Sequence, residues 1–181
     1  MERQDGKIWV FGYGSLIWEP GFGHDERAIA RLDGWHRSFC MRSIHHRGSP
    51  EAPGLVLALD AAPGAVCHGV AFAVPEAEGT AVLDYLRARE LISAAYLETV
   101  LPLALADGRR VEAVAYVIDP DHEQYCGGLS ASEQAQIIAG AHGGRGSNAD
   151  YLFNTAAHLA KLGIEDPELT ALAVRVRALI G

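Results

Sequence analysis

The stretch GLVLALDAAPGAVCHGVAFAVPEAEGTAVLDYLRARE, residues 54–90, sets the fold class. Residues 54–60 and 66–74 are two aliphatic, β-branched runs, with Ala62, Pro63 and Gly64 between them. That pattern predicts two strands joined as a hairpin. From residue 76 the period changes: Val82, Leu83 and Leu86 form one apolar stripe, while Glu76, Glu78, Asp84 and Arg87 lie largely off it. This spacing predicts a helix over 76–90. Downstream, residues 96–105 and 111–118 return to strand character and are joined by Asp107-Gly108, a favoured tight-turn pair. Upstream, Ile8-Trp9-Val10-Phe11, ended by Gly12, reads as a short buried strand, and residues 28–44 alternate loosely around a break at Asp33-Gly34.

The last third reads as helical. Ser130 and Glu133 make a capping box for a helix over about 131–140. A glycine-rich loop, Gly140 to Gly146, follows. A second helix covers roughly 148–162, with Asn148 as its cap and Gly163 as its stop. A third begins at Pro167 and runs to the C-terminus. Strands first and helices later predict an α+β fold, a sheet or small barrel with helices on its flank. At 181 residues the expectation is a single domain, 1–181.

Composition narrows the function. Hydrophobic residues make up 49% and the formal net charge is −8, so no basic face is expected for nucleic acid or anionic lipid. The longest uncharged run, 61–75, is broken by Pro63, Gly64, His68 and Gly69, and no segment offers the roughly 20 apolar residues of a membrane span. Residues 1–7 lack the apolar core of a secretory signal. Cys40, Cys67 and Cys126 are odd in number and show no metal-type spacing, which fits free thiols in a reducing cytoplasm. A cytoplasmic protein is expected, and nothing speaks to its oligomeric state.

Four places could carry chemistry, one of them Gly143 to Asn148 before Tyr151, where Asn148 caps the following helix or that helix N-terminus faces an anion. Gly12-Tyr13-Gly14-Ser15-Leu16 follows the first strand, and successive N–H groups in such a turn can hold a carboxylate or an oxyanion. It is neither a dinucleotide fingerprint nor a P-loop, and it also reads as a plain tight turn. Glu90 ends the predicted helix before an apolar stretch, an environment suited to an acid or base; the other reading is a surface pair with Arg87. In His45-His46-Arg47-Gly48, Arg47 could grip a substrate carboxylate or could simply be a solvated loop charge. Adjacent histidines diverge, and no metal site is expected. Tyr96 and Tyr125 are candidate hydroxyl donors or ordinary packed tyrosines.

Taken together, these motifs resemble a known family. Val10 to Trp18 is similar to the opening motif of the ChaC-like γ-glutamylcyclotransferases. His46-Arg47-Gly48-Ser49 with Pro53-Gly54 is similar to that family's next signature. Tyr85-Leu86, Arg89-Glu90 and Tyr96 are similar to the segment holding its catalytic glutamate, and Gly146, Asn148, Tyr151 and Leu152 to its C-terminal signature. The four matches fall in the family's order. At one place the chain departs: Ala94 and Ala95 stand where glutathione-acting members carry a Gly-Gly pair.

The resemblance implies a γ-glutamylcyclotransferase-like small mixed barrel with flanking helices. It implies a carbon–nitrogen lyase that releases 5-oxoproline from a γ-glutamyl peptide, usually glutathione, with Cys-Gly as the other product and no cofactor. Glu90 would be the catalytic residue, and Tyr13, Gly14, Ser15, Leu16, Arg47, Tyr96 and Tyr125 would bind the small-molecule substrate. Two other readings stay open: a cyclotransferase for other γ-glutamyl amines or amino acids, and a non-catalytic module of the same fold that binds a small anion.

Overall fold

Among the described residues, twelve elements follow one another in chain order. They are β1 (Lys7–Gly12), α1 (Ser15–Trp18), β2 (Glu26–Ser43), β3 (Gly54–Pro75), α2 (Glu76–Glu90), β4 (Tyr96–Leu105), β5 (Arg110–Ile118), α3 (Ala131–Gly140), β6 (His142–Gly143), β7 (Gly146–Ser147), α4 (Asn148–Lys161) and α5 (Pro167–Ile180). The computed structural model describes residues 5–92 and 94–181, so part of the N-terminal reading over residues 1–7 lies outside the described residues. The chain groups into two compact units. One comprises the residues up to Arg37 with Leu59–Asp119; the other comprises Ser38–Ala58 with Pro120–Gly181.

The first unit is organised by a closed barrel in the order β1-β3-β2-β4-β5. β1 is buried from Ile8 to Gly12, as an apolar run with no polar face requires. It lies antiparallel to β3, with Lys7 opposite Pro75 and Gly12 opposite Val70, and parallel to β5 through Trp9 opposite Ala113. β4 and β5 form the hairpin that Asp107-Gly108 predicts, in register from Tyr96 opposite Ile118 to Ala104 opposite Arg110. The stripe of α2 packs on the barrel: Val82 and Leu86 join Val10, Leu16, Val74, Val114 and Tyr116 in one core cluster.

Two expectations change here. Residues 54–60 and 66–74 are not the arms of a separate hairpin but parts of one 22-residue strand element, β3. Likewise Asp33-Gly34 does not interrupt β2, which runs for 18 residues. Gly64 holds φ +85° inside β3, a backbone that a residue with a Cβ would resist, so the strand runs on through a sequence that reads as punctuation. Helix α1 is new. Four residues are too few to show a period in sequence.

In the second unit, α3, α4 and α5 pack on one another. Ser130 and Glu133 form the reciprocal capping box, a feature worth about 1 kcal/mol. Asp166 caps α5, with Pro167 in its first turn. The cap of α4 is a correction: Ser147 Oγ accepts from Asp150 N, and Asn148 is the first helical residue with its side chain fully buried. Its amide Oδ1 accepts from Leu55 N at 2.7 Å and Nδ2 donates to Leu55 O at 2.7 Å. Tyr151 Oη, one turn on, accepts from Leu57 N at 3.2 Å. Two side chains of α4 thus satisfy the backbone of the first residues of β3. Among the described residues no helix is long and apolar enough to cross a membrane.

Between α2 and β4 the chain turns through Ala94, which holds φ +56°, the left-handed region where a Cβ is strained. Its side chain is exposed and loses no packing when removed. Ala94→Gly is therefore expected to stabilise the protein by about 0.5–1 kcal/mol. Thermal unfolding checks this as a rise in Tm of roughly 1–4 °C; an unchanged or lower Tm contradicts it.

Candidate active site

The site is built on the turn that ends β1. Gly12 is buried, and a Cβ there would lie 3.1 Å from both Leu16 Cβ and a Phe72 ring carbon, so the turn closes tightly only with glycine. Tyr13 points inward and donates its hydroxyl to Tyr116 O at 2.8 Å. Its own carbonyl accepts from buried Arg37, whose Nη1 lies 3.1 Å from Tyr13 O and 2.9 Å from His68 O. Leu16 is buried in the core cluster. The side chains of Tyr13 and Leu16 are thus taken up by packing and by the bond to Tyr116. Gly14 precedes α1, and its carbonyl accepts from Ile17 N at 3.0 Å. Ser15 Oγ accepts from Arg89 Nη2 at 3.2 Å.

Glu90 is the last residue of α2. Its side chain is only 17% exposed, and Arg89 Nε lies 3.3 Å from its Oε1. The surface pairing with Arg87 does not form. Arg87 instead donates from Nε and Nη2 to the two carboxylate oxygens of Glu98 on β4, both at 2.9 Å. That guanidinium holds the Glu98 carboxyl below its usual range, even though partial burial opposes it. Tyr116 Oη donates to Glu98 Oε2 at 3.0 Å. Burial pushes the Tyr116 phenol well above its usual range, followed by its bond to Glu98 and the charge of Glu98; the charge of Glu90 adds to the same effect. The Glu90 carboxylate therefore lies within electrostatic reach of a phenol on the barrel wall. Tyr96, half-buried at the start of β4, packs against the core cluster.

Arg47 and Tyr125 belong to the second unit. Arg47 is no solvated loop charge. It is buried, donates from Nη1 to Ser147 O at 3.2 Å and stacks its guanidinium 5.4 Å from the centre of the Tyr151 ring. Tyr125 pairs in an isolated bridge with Met41 and lays its hydroxyl over Gly127.

Among the described residues no group of three or more His, Cys, Asp or Glu side chains is gathered as a metal site. The three cysteines form no disulfide, and burial pushes the Cys126 thiol up, away from the thiolate that a nucleophile needs. Sequence reasoning passed over Arg37, Glu98, Tyr116 and the contacts of Arg89. The one available signal was an arginine at position 37 inside a strand-like run; the others are joined only by folding.

A closed mixed barrel with a glycine turn at the end of β1, tied through Arg89 to a mostly buried carboxylate at the end of α2, defines a protein of the γ-glutamylcyclotransferase fold. A solved yeast gamma-glutamyl cyclotransferase specific to glutathione superposes with a TM-score of 0.88 at 27% identity, covering 96% of this chain and 97% of that one. The family model described as ChaC-like protein matches residues 8–179, and the chain belongs to that family. A glutathione-specific gamma-glutamylcyclotransferase of Escherichia coli K12 is 42% identical over 176 residues, spanning 97% of this chain and 75% of the relative. Gamma-glutamylcyclotransferase 2-3 of Arabidopsis thaliana is 36% identical over 96% of this chain and 90% of its own length.

Proposed function

We propose that this chain is a γ-glutamylcyclotransferase that acts on glutathione, releasing 5-oxoproline and Cys-Gly. The observation that carries the reading is the enclosed Glu90 carboxylate, tied through Arg89 to Ser15 in the turn after β1. The names of the Escherichia coli and yeast relatives supply the substrate.

The reaction is an intramolecular aminolysis. The α-amine nitrogen of the γ-glutamyl group attacks its own γ-carbonyl carbon, a five-membered ring closes, and the C–N bond to the cysteine residue breaks. An α-amine has a pKa near 8 and is mostly protonated at neutral pH, so attack needs a base. Glu90 takes the amine proton and returns one to the leaving nitrogen. Backbone N–H groups between Tyr13 and Leu16 hold the γ-oxyanion or the substrate α-carboxylate. Holding the arm in a near-attack pose lowers the barrier further. The family resemblance adds Arg47, Tyr96 and Tyr125 as candidates for binding other substrate groups. Arg47 has its charge buried in the second unit, and Tyr96 lies six residues after Glu90.

Incubation of the protein with glutathione, read by mass spectrometry, tests the assignment. Equal amounts of 5-oxoproline and Cys-Gly are expected, and absence of both sinks it in favour of a non-catalytic anion-binding module. A specific observation keeps one variant in view: Ala94 places a methyl group in a strained turn four residues after Glu90. A parallel panel of γ-glutamyl amines and amino acids distinguishes a cyclotransferase for those substrates.

A further inference from the structure

We infer that Arg89 is a positioning residue for this reaction: its guanidinium grips both ends of α1 and the Glu90 carboxylate at once, fixing the proton carrier relative to the turn that holds the substrate. The inference rests on the reading of Glu90 given above.

The Arg89 side chain is 9% exposed, so its donors must find acceptors inside the protein. Nη2 donates to Ser15 Oγ at 3.2 Å, at the start of α1. Nη1 lies 2.6 Å from Glu19 O and 3.2 Å from Pro20 O, immediately past the end of α1. Both are backbone carbonyls of the loop that leaves α1. Nη1 also lies 3.2 Å from Tyr85 Oη, one turn earlier on α2. Nε lies 3.3 Å from Glu90 Oε1. A planar fork of five N–H donors can serve such a spread of acceptors in one fixed orientation; a single ammonium on a flexible stem cannot.

The neighbouring arginine gives the internal comparison. Arg87 clamps the same helical turn to β4 through Glu98 and also reaches Asp84, on its own helix, and its side chain is 47% exposed. Arg87 anchors the helix end to the barrel. Arg89 joins the carboxylate to Ser15, at the start of the segment that also carries Leu16. A shift of about 1 Å between reacting groups can cost about 10²-fold in rate, so this link acts on turnover.

The test measures kcat and KM for 5-oxoproline release from glutathione by Arg89→Ala, Arg89→Lys, Arg87→Ala and Glu90→Gln, and by Arg89→Ala combined with Glu90→Gln. Expected for Arg89→Ala is a kcat lowered by about 10- to 100-fold with KM moved less than about 3-fold, and partial recovery in millimolar guanidinium. Arg89→Lys keeps the charge and still loses most of the turnover, which tests the idea even if the alanine variant does not fold. Arg87→Ala stays within about 3-fold of the parent kcat. In the Glu90→Gln background the loss of Arg89 adds little, because the group it positions is gone. If Glu90→Gln keeps its turnover, the reading of Glu90 fails. If Glu90→Gln is inactive but the Arg89 variants turn over normally, or lose activity only in step with Arg87→Ala and without guanidinium recovery, the role of Arg89 alone is overturned.

Discussion

Glu90→Gln lowers kcat for 5-oxoproline release by about 10²–10⁴-fold, the range that general acid–base catalysis supplies. Glutamine keeps the length and shape of the side chain and leaves an oxygen within reach of Arg89 Nε, which lies 3.3 Å from Glu90 Oε1 in the parent. What it removes is the capacity to take the proton of the attacking amine. The effect therefore falls on kcat, with KM and thermal unfolding close to those of the parent. Glu98→Gln is the matching control on a nearby carboxylate. It weakens the bidentate bond from Arg87 and the bond from Tyr116, so it is expected to affect stability more than turnover. A correctly folded Glu90→Gln variant with near-normal kcat would remove Glu90 from the chemistry.

The second large effect is on stability. Asn148→Ala strips both amide bonds from Leu55, leaving its N–H and C=O unpartnered at a residue with no exposed surface. Each orphaned buried group costs about 1–3 kcal/mol, so a total loss of about 2–5 kcal/mol is expected. For a chain of this size that lowers Tm by roughly 5–15 °C. Asn148→Asp isolates the two bonds. A carboxylate still accepts from Leu55 N but places an acceptor against Leu55 O, so this variant is destabilised as well. A Tm within 2 °C of the parent for Asn148→Ala shows that the backbone of β3 finds other partners. The same observation explains two residues of the C-terminal signature: Asn148 and Tyr151 close the backbone of residues 55–57.

Most of the architecture was legible because local rules agree with the tertiary outcome. The stripe of 76–90 and the Asp107-Gly108 turn gave α2 and the β4–β5 hairpin with little error. The Ser130–Glu133 box marked the start of α3. The misreadings share one cause. Pro63-Gly64 and Asp33-Gly34 are turn signals by composition, yet each lies inside a long strand of the barrel. Asn148 is a fair cap by type, but Ser147 beside it took that role and released the amide to Leu55. Propensity is decided residue by residue; the competition between adjacent candidates is decided by what packs against them.

By itself the sequence determined the fold class, the strands-then-helices arrangement, the family, and the two motifs on which the proposed chemistry depends, because periodicity, caps and motif order are written along the chain. Tertiary structure alone decided how those motifs are joined. Arg89 lies 74 residues from Ser15 and 70 from Glu19, and Tyr13 lies 103 from Tyr116. No local rule pairs residues so far apart; closing the barrel and laying α2 on it brings them within hydrogen-bonding reach, where geometry and burial fix their partners.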